Sequence, residues 1–181
     1  MALIYATRLK QILALALLGF LAACDNTHPL PTASSVDLQK YQGTWYEIAM
    51  LPNRFQAMCV SDTTAQYQQA SNAINVTNRC RKADGNIEEA LGTAKVVDGS
   101  GNAKLRVSFF WPFYGDYWIL ALDNTYQWVL VGEPERQFGW VLARTPELDH
   151  PTLAAIMSKA GELGYDKSKF RLTPHSKVPA Q

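Results

Sequence analysis

Two cysteines, Cys59 and Cys80, have a spacing in the sequence that suits a disulfide bond. A hairpin that turns at 69–72 and pairs Thr64 with Asn75 also places the two cysteines directly opposite each other. Facing residues of an antiparallel ladder have Cα atoms about 4.5–5.5 Å apart, a distance that a disulfide can span. The alternative is a metal site, but two thiols without a nearby histidine fall short of tetrahedral coordination. The spacing therefore predicts a Cys59–Cys80 disulfide in an oxidising compartment.

The other reactive side chains give little indication of a catalytic site. The histidines, His28, His150 and His175, fall in segments that we expect to lie outside the core. The sequence contains neither a Gly-x-Ser-x-Gly motif nor a paired-carboxylate motif. Glu47, close to Trp45, is the one acid worth testing as a base. We predict no catalytic residue, no metal site and no cofactor.

The first 23 residues have the zones of an export signal. Arg8 and Lys10 supply positive charge, and the run 12–22 is apolar and uncharged. This run is shorter than the roughly 20 residues that span a bilayer. It ends in Leu-Ala-Ala-Cys at 21–24, which resembles the bacterial lipobox, although an ordinary secretory signal with an incidental cysteine is the alternative. The resemblance implies cleavage before Cys24 and a membrane anchor of several acyl chains on this cysteine.

Cleavage would leave 158 of the 181 residues, enough for one domain with a substantial core. Loss of Arg8 and Lys10 lowers the Lys and Arg count from 17 to 15 against 16 Asp and Glu, a net charge of −1. No basic cluster exists to neutralise phosphates, so we predict no nucleic-acid partner. Residues 25–37 are polar with two prolines, and with Cys24 they predict a flexible tether, 24–37.

Runs of residues typical of β-strands follow from residue 44 onward, each ended by turn residues such as Asp84-Gly85-Asn86 and Glu133-Pro134. Short strands at this spacing are typical of an antiparallel sandwich or barrel. We predict eight strands, at about 44–51, 60–68, 74–82, 88–97, 103–110, 116–123, 126–132 and 138–144.

One amphipathic helix breaks the β pattern at 151–163. Apolar side chains recur there with helical spacing, and we expect them to pack against the sheet. Asp149 is the expected N-cap, Gly164 the expected stop, and 170–172 a short final strand. The apolar face consists of Leu153, Ile156, Met157, Ala160 and Leu163.

Three short motifs in order resemble the conserved regions of the lipocalin family. Gly43-Thr44-Trp45 resembles the Gly-x-Trp that opens the first strand, and Arg144 resembles the arginine near the end of the last strand. The intervening turn is degraded to Leu122-Asp123-Asn124, which keeps only the aspartate. The resemblance implies an all-β, eight-stranded antiparallel up-and-down barrel with a C-terminal helix packed outside. It also implies a closed end at which Arg144 packs on Trp45 by a cation–π contact.

Within lipocalins, the stretches 41–49, 107–115 and 140–146 resemble those of bacterial outer-membrane lipoproteins related to apolipoprotein D. The resemblance covers 38–173 and leaves 174–181 as a tail. It implies that the barrel binds fatty acids or lysophospholipids for lipid storage, transport or membrane maintenance. Proteins of this kind are usually located in the outer membrane. Asp25 resembles an enteric signal that retains lipoproteins on the periplasmic face of the inner membrane, so both locations stay open.

Aromatic and apolar residues on the predicted strands are candidates for the ligand-lining wall, although one sequence does not fix which face points inward. The candidates are Phe109, Phe110, Tyr117, Ile119, Trp128 and Trp140. The aromatic loop 110–115 is expected to rim the pocket, touch the bilayer or form a homodimer, or else to fold back. The rival functions are a lipocalin-like enzyme acting on a lipid, a carrier of another small hydrophobic molecule such as haem, and a solid structural barrel.

Overall fold

The computed structural model describes residues 30–176, in which eight antiparallel strands close into a barrel. The strands are β1 (Gly43–Met50), β2 (Cys59–Gln69), β3 (Ile74–Lys82), β4 (Ile87–Val96), β5 (Lys104–Phe110), β6 (Phe113–Leu122), β7 (Trp128–Gly132) and β8 (Gly139–Ala143). Consecutive strands are neighbours from β2 to β8, and β1 closes the barrel by pairing with both β8 and β2. The predicted up-and-down barrel is therefore confirmed.

Helices are confined to the two ends of the domain and one loop. The helix α1 (Leu38–Tyr41) precedes β1, and a 3-10 turn (Arg54–Gln56) follows it. The long helix α2 (His150–Glu162) is capped by Asp149, whose Oδ1 accepts a hydrogen bond from the Thr152 amide at 2.8 Å. These bounds confirm the predicted helix within one residue. None of the helices in the described part of the chain is long and apolar enough to cross a membrane.

Strand alternation sorts the apolar side chains into two clusters, because neighbouring residues of a strand point to opposite faces. The interior cluster fills one half of the barrel, and its members include Tyr41, Trp45, Tyr67, Val76, Ala94, Leu105, Ile119, Val131 and Leu142. The outer cluster lies between the sheet and α2, and includes Leu120, Leu130, Val141, Ile156, Ala160 and Leu163. The apolar face of α2 therefore packs against the sheet, as expected.

The two ends of the barrel differ, and we name them by their residues. The closed end carries Gly43, where β1 begins, and the turn between β6 and β7. The mouth end carries Met50, where β1 finishes, and the hairpin between β5 and β6.

The Cys59–Cys80 disulfide is confirmed, with Cα atoms 5.5 Å apart. The register that predicted it was wrong, because Thr64 pairs with Arg79 instead of Asn75. Two irregularities in β2, between Cys59 and Ser61 and between Ser61 and Thr64, change the register along the ladder. Cys59 consequently lies opposite Lys82, and the bridge crosses the ladder diagonally to Cys80.

The last described segment completes the wall between β1 and β2, and we call residues 171–176 the C-terminal strap. β1 pairs with β2 only over Gly43–Tyr46, and its mouth half pairs instead with the short strand β9 (Arg171–Leu172). The strap then turns to β2, where the Asp62 amide donates to the carbonyl of Pro174 at 2.9 Å. Residues 174–176 therefore belong to the barrel, although the sequence predicted a tail beginning at 174.

Part of the predicted tether also packs on the barrel. Leu30 and Val36 are buried, and the Ala33 amide donates to the carbonyl of Ile119 at 2.9 Å. The prediction of a flexible tether was wrong for 30–37. It rested on the prolines and polar residues and overlooked the two apolar residues, Leu30 and Val36, that pack on the barrel. The predicted signal peptide 1–23, Cys24 and residues 25–29 lie outside the described residues.

Candidate functional site

The closed end is sealed by Arg144 and Trp45. The Trp45 side chain is fully buried, and its ring centre lies 3.8 Å from the Arg144 guanidinium carbon, within the range of a cation–π contact. The guanidinium also donates to the carbonyls of Lys40 at 2.6 Å and Thr44 at 2.9 Å. One side chain thus joins α1, β1 and β8 beneath the barrel.

The other two residues of the closed-end signature support this seal. Gly43 has a φ of +93°, and a Cβ there would lie 3.4 Å from Nη1 of Arg144. Asp123 accepts hydrogen bonds from the amides of Thr125 at 3.0 Å and Gln127 at 3.1 Å, which fixes the β6–β7 turn. The structure therefore brings Gly43, Trp45, Asp123 and Arg144 to one end of the barrel.

Three tyrosine hydroxyls meet above this seal, and we call them the tyrosine triad. The Tyr117 hydroxyl lies 2.8 Å from those of both Tyr41 and Tyr67. Burial raises the pKa of Tyr67 to about 12 and those of Tyr41 and Tyr117 well above their usual range. All three hydroxyls are therefore protonated at neutral pH. Tyr117 retains part of its accessible surface, although Tyr41 and Tyr67 are buried.

The mouth half of the barrel interior is lined by small residues and holds open space. Ala65 and Ala90 flank Asn78 on the neighbouring strands, on the face that carries the interior cluster. Ala90 is solvent-exposed despite this inward orientation. Gly115 also faces inward, opposite Val107, and a Cβ built on it would meet no atom within 4 Å. The barrel therefore forms a calyx with the tyrosine triad at its floor.

Asn78 places an amide within this apolar wall. Its Oδ1 is buried and receives no hydrogen bond from any residue of the described chain. Buried polar atoms of side chains normally have a partner, so a buried acceptor of this kind is suited to a donor from a guest molecule or solvent.

Glu47 lies nearer the mouth and is held by the protein on both oxygens. Gln56 donates to Oε2 at 2.7 Å, and Thr173 of the C-terminal strap donates to Oε1 at 2.6 Å. Burial raises the pKa of the Glu47 carboxyl, although these two hydrogen bonds oppose the shift. Gln56 in turn accepts from Nε1 of Trp140 at 2.9 Å. The arrangement ties the loop after β1 and the strap to the inner wall.

The mouth end carries exposed aromatic side chains. Phe110, Trp111 and Phe113 are 75%, 80% and 70% exposed, and the rings of Phe110 and Phe113 stack at 6.3 Å between centroids. Lys82 and Glu88 form an ion pair of 3.3 Å at the same end. The mouth end therefore carries both an ion pair and an apolar rim of exposed aromatic side chains.

A shallow concavity of about 470 Å³ lies on the outer wall of β2–β6. Strand alternation places its lining residues Thr77 and Thr93 on the face opposite Val76 and Ala94, which belong to the interior cluster. Phe109, Trp111 and Tyr114 also contribute to its lining. The side chains of Thr77 and Thr93 therefore lie outside the calyx, although Val76 of the interior cluster also borders the concavity.

The ligand-lining candidates divide between several places. Ile119 belongs to the interior cluster, and Tyr117 and Trp140 pack against it. Trp128 packs instead in the outer cluster, because alternation in β7 turns Val129 and Val131 inward. Phe109 and Phe110 are 44% and 75% exposed near the mouth, at the irregularity that follows Val107, and the Phe109 ring lies over Gly92 of β4.

Sequence reasoning missed Tyr41, Tyr67 and Asn78, three polar residues of the interior. Tyr41 lies before the first strand, so no strand pattern pointed to it. Ala65 and Tyr67 lie two positions apart on β2 and therefore on the same face, with the polar residues Gln66 and Gln68 on the other face. This spacing could have indicated that Tyr67 points inward. Among residues 30–176, no group of three or more His, Cys, Asp or Glu side chains is placed to hold a metal ion.

Comparison with known proteins agrees with the barrel and the closed-end signature described above. The model of the lipocalin-like domain matches residues 36–175. Outer membrane lipoprotein Blc of Escherichia coli strain K12 is 34% identical over 168 residues, covering 90% of this chain and 95% of that protein. Temperature-induced lipocalin-1 of Arabidopsis thaliana is 36% identical over 161 residues, covering 84% and 86%.

Among solved structures, insecticyanin from the tobacco hornworm Manduca sexta superposes with a TM-score of 0.68 at 20% identity, covering 83% of this chain and 86% of its own. Its likeness concerns the fold. The barrel, its sealed end and the sequence matches together show that the chain belongs to the lipocalin family.

Proposed function

We propose that the calyx binds a fatty acid or a lysophospholipid. The observation that supports this most directly is the open mouth half of the barrel, where Ala65, Ala90 and Gly115 leave space above the tyrosine triad. Lipocalins bind small hydrophobic ligands, and an eight-stranded barrel encloses room for one. The acyl chain enters with its tail towards the floor. The headgroup stays at the mouth, where Lys82, paired with Glu88, is one of the cations present.

The energetics of burying an acyl chain are sufficient for such a site. Burial of about 15 methylenes contributes near 12 kcal/mol at roughly 0.8 kcal/mol each. Association and ordering costs offset much of this gain, which leaves an affinity in the micromolar range or tighter.

We propose that the protein acts at a membrane of the cell envelope, anchored through Cys24. The relative from Escherichia coli is named an outer membrane lipoprotein, which supports this compartment. Asp25 keeps the inner membrane open as the alternative. Because Leu30 packs on the barrel, six residues from Cys24 to 29 link the anchor to the fold, and they reach about 20 Å when extended. Lipid storage, transport or membrane maintenance fits a carrier held this close to its ligands.

We favour a binding function over catalysis. Glu47, the one acid proposed as a base, has a protein donor on each oxygen, so neither oxygen is directed at a substrate. The histidine nearest to it, His175, uses Nε2 in a 2.8 Å hydrogen bond with the carbonyl of Glu47.

The test is to fill the calyx. We expect the Gly115→Leu variant to fold, because the position has open space, and to lose quenching of tryptophan fluorescence by added palmitate or lysophospholipid. Thr77→Leu, on the outer face of β3, is the matched control and should bind as the unaltered protein does. Undiminished binding by Gly115→Leu would place the ligand elsewhere and reject the proposal.

A further inference from the structure

We propose that the calyx prefers lipids that carry an uncharged oxygen function, such as a hydroxyl, ketone or ester, at the buried end of the chain. This inference rests on the proposed function and specifies the ligand of the same site. It follows from the polar groups of the calyx, which a saturated chain ending in a methyl group leaves without partners.

The tyrosine triad has one proton more than its hydrogen bonds use. Three hydroxyls carry three protons, and the two contacts of Tyr117 with Tyr41 and Tyr67 use two of them. When both neighbours donate to Tyr117, its own proton is free. Tyr117 is also the member of the triad that retains accessible surface, so we assign the free proton to it.

Asn78 supplies the complementary group on the wall. Its buried Oδ1 accepts no hydrogen bond from the described chain, and its facing residues Ala65 and Ala90 have no polar side chain that could donate one. A hydroxyl can accept from Tyr117 or donate to Asn78, and a carbonyl can accept from Tyr117. A buried polar group without a partner costs more free energy than an average hydrogen bond contributes. A ligand that pairs with these groups should therefore bind more tightly than one that does not.

The floor disfavours a charged oxygen. The buried polar and charged residues of the described chain include no Lys or Arg, and Arg144 lies against the Trp45 ring. Glu47 adds an acidic group between floor and mouth. The burial that raises the pKa of Tyr117 would equally penalise a carboxylate beside it. A fatty acid therefore keeps its carboxylate at the mouth and presents the other end of its chain to the triad.

The experiment compares palmitate with ω-hydroxypalmitate, which differ by one hydroxyl at the end of the chain. Both are titrated into the full-length protein, with tryptophan fluorescence and calorimetry as readouts. We expect ω-hydroxypalmitate to bind about 3- to 10-fold more tightly, the size of one net neutral hydrogen bond. In Tyr117→Phe this preference should disappear, with palmitate still bound.

Tyr114→Phe is the matched control, because it removes a tyrosine hydroxyl from the outer concavity and leaves the triad unaltered. It should keep the preference, and Asn78→Leu should reduce it if the hydroxyl donates to Oδ1. Equal binding of the two lipids, or tighter binding of palmitate, overturns the inference and leaves the proposed function standing. Binding of neither lipid overturns both.

Discussion

Arg144 lies with its guanidinium carbon 3.8 Å from the centre of the Trp45 ring, so a residue just after the last barrel strand covers a side chain from the first. The two residues are 99 positions apart in the sequence, yet the same guanidinium donates to the carbonyls of Lys40 and Thr44. The contact that seals the closed end therefore also links the first strand of the barrel to the last.

Replacing Arg144 should destabilise the fold. The Arg144→Met variant loses the cation–π contact and the hydrogen bonds to the carbonyls of Lys40, Thr44 and Tyr126. We therefore expect a loss of about 1–3 kcal/mol in the free energy of unfolding. Urea denaturation measures it. Arg79→Met is the control, because its ion pair with Glu89 is solvent-exposed and should contribute less than about 1 kcal/mol. Equal losses in the two variants would contradict a special role for the seal.

The Cys59–Cys80 disulfide should contribute to stability mainly by restricting the unfolded chain. The bridge closes a loop with a sequence separation of 21, for which chain entropy gives about 3 kcal/mol. We expect the Cys59→Ala, Cys80→Ala double variant to unfold at correspondingly lower denaturant concentration. A midpoint that does not change on removal of the bridge would contradict this prediction.

Asp62 should make stability depend on pH in the acid range. Hydrogen bonds from Ser176 and Arg81 hold the pKa of its carboxyl well below the usual value, against the opposing effect of burial. A lowered folded-state pKa stabilises the protein above the unfolded value of about 3.9, and this contribution is lost as the pH falls below it.

We therefore expect Asp62→Asn to be less stable than the unaltered protein at pH 7, and the difference to shrink below about pH 4. Denaturant unfolding at a series of pH values measures it. Glu162→Gln serves as the control, because its ion pair with Lys159 is exposed and should give a small, nearly constant difference. A difference for Asp62→Asn that grows towards low pH would have the wrong sign.

The interior and the rim should respond oppositely to truncation. Ile119 is fully buried, so Ile119→Ala should cost about 2–5 kcal/mol. Phe110 is 75% exposed, and Phe110→Ser should change the free energy of unfolding by less than about 0.5 kcal/mol. Thermal and urea denaturation of the two variants test the distinction. A large loss in Phe110→Ser would show that the rim packs more tightly than its exposure indicates.

The sequence was sufficient for the architecture but not for the lining of the calyx. Turn residues act locally and predicted an antiparallel sandwich or barrel. The resemblance of the motifs at Trp45, Asp123 and Arg144 to the lipocalin regions implied the up-and-down barrel. Val129, Leu130 and Val131 are all fully buried, since α2 covers the outer face that alternation would otherwise leave polar. With apolar residues on both faces, β7 gave no sign of which parity points inward. Trp128, one of the ligand-lining candidates, consequently lies on the outer face.

Irregular strands account for other differences between prediction and structure. The irregularities in β2 near Cys59 displaced the register, and a further one after Val107 makes strand alternation unreliable at Phe109 and Phe110. Tyr41 was missed because it reaches the calyx floor from α1, outside any strand. Backbone irregularities and contacts between distant segments depend on the assembled barrel, so no single stretch of sequence encodes them.

The C-terminal strap has a consequence for how the protein is made. Half of the seam between β1 and β2 is closed by residues 171–176, which begin 121 positions after Met50 in the sequence. The mouth half of β1 therefore gains its second partner only after these residues have been synthesised. Until then, the nascent protein presents an unpaired strand edge, which is a site for aggregation.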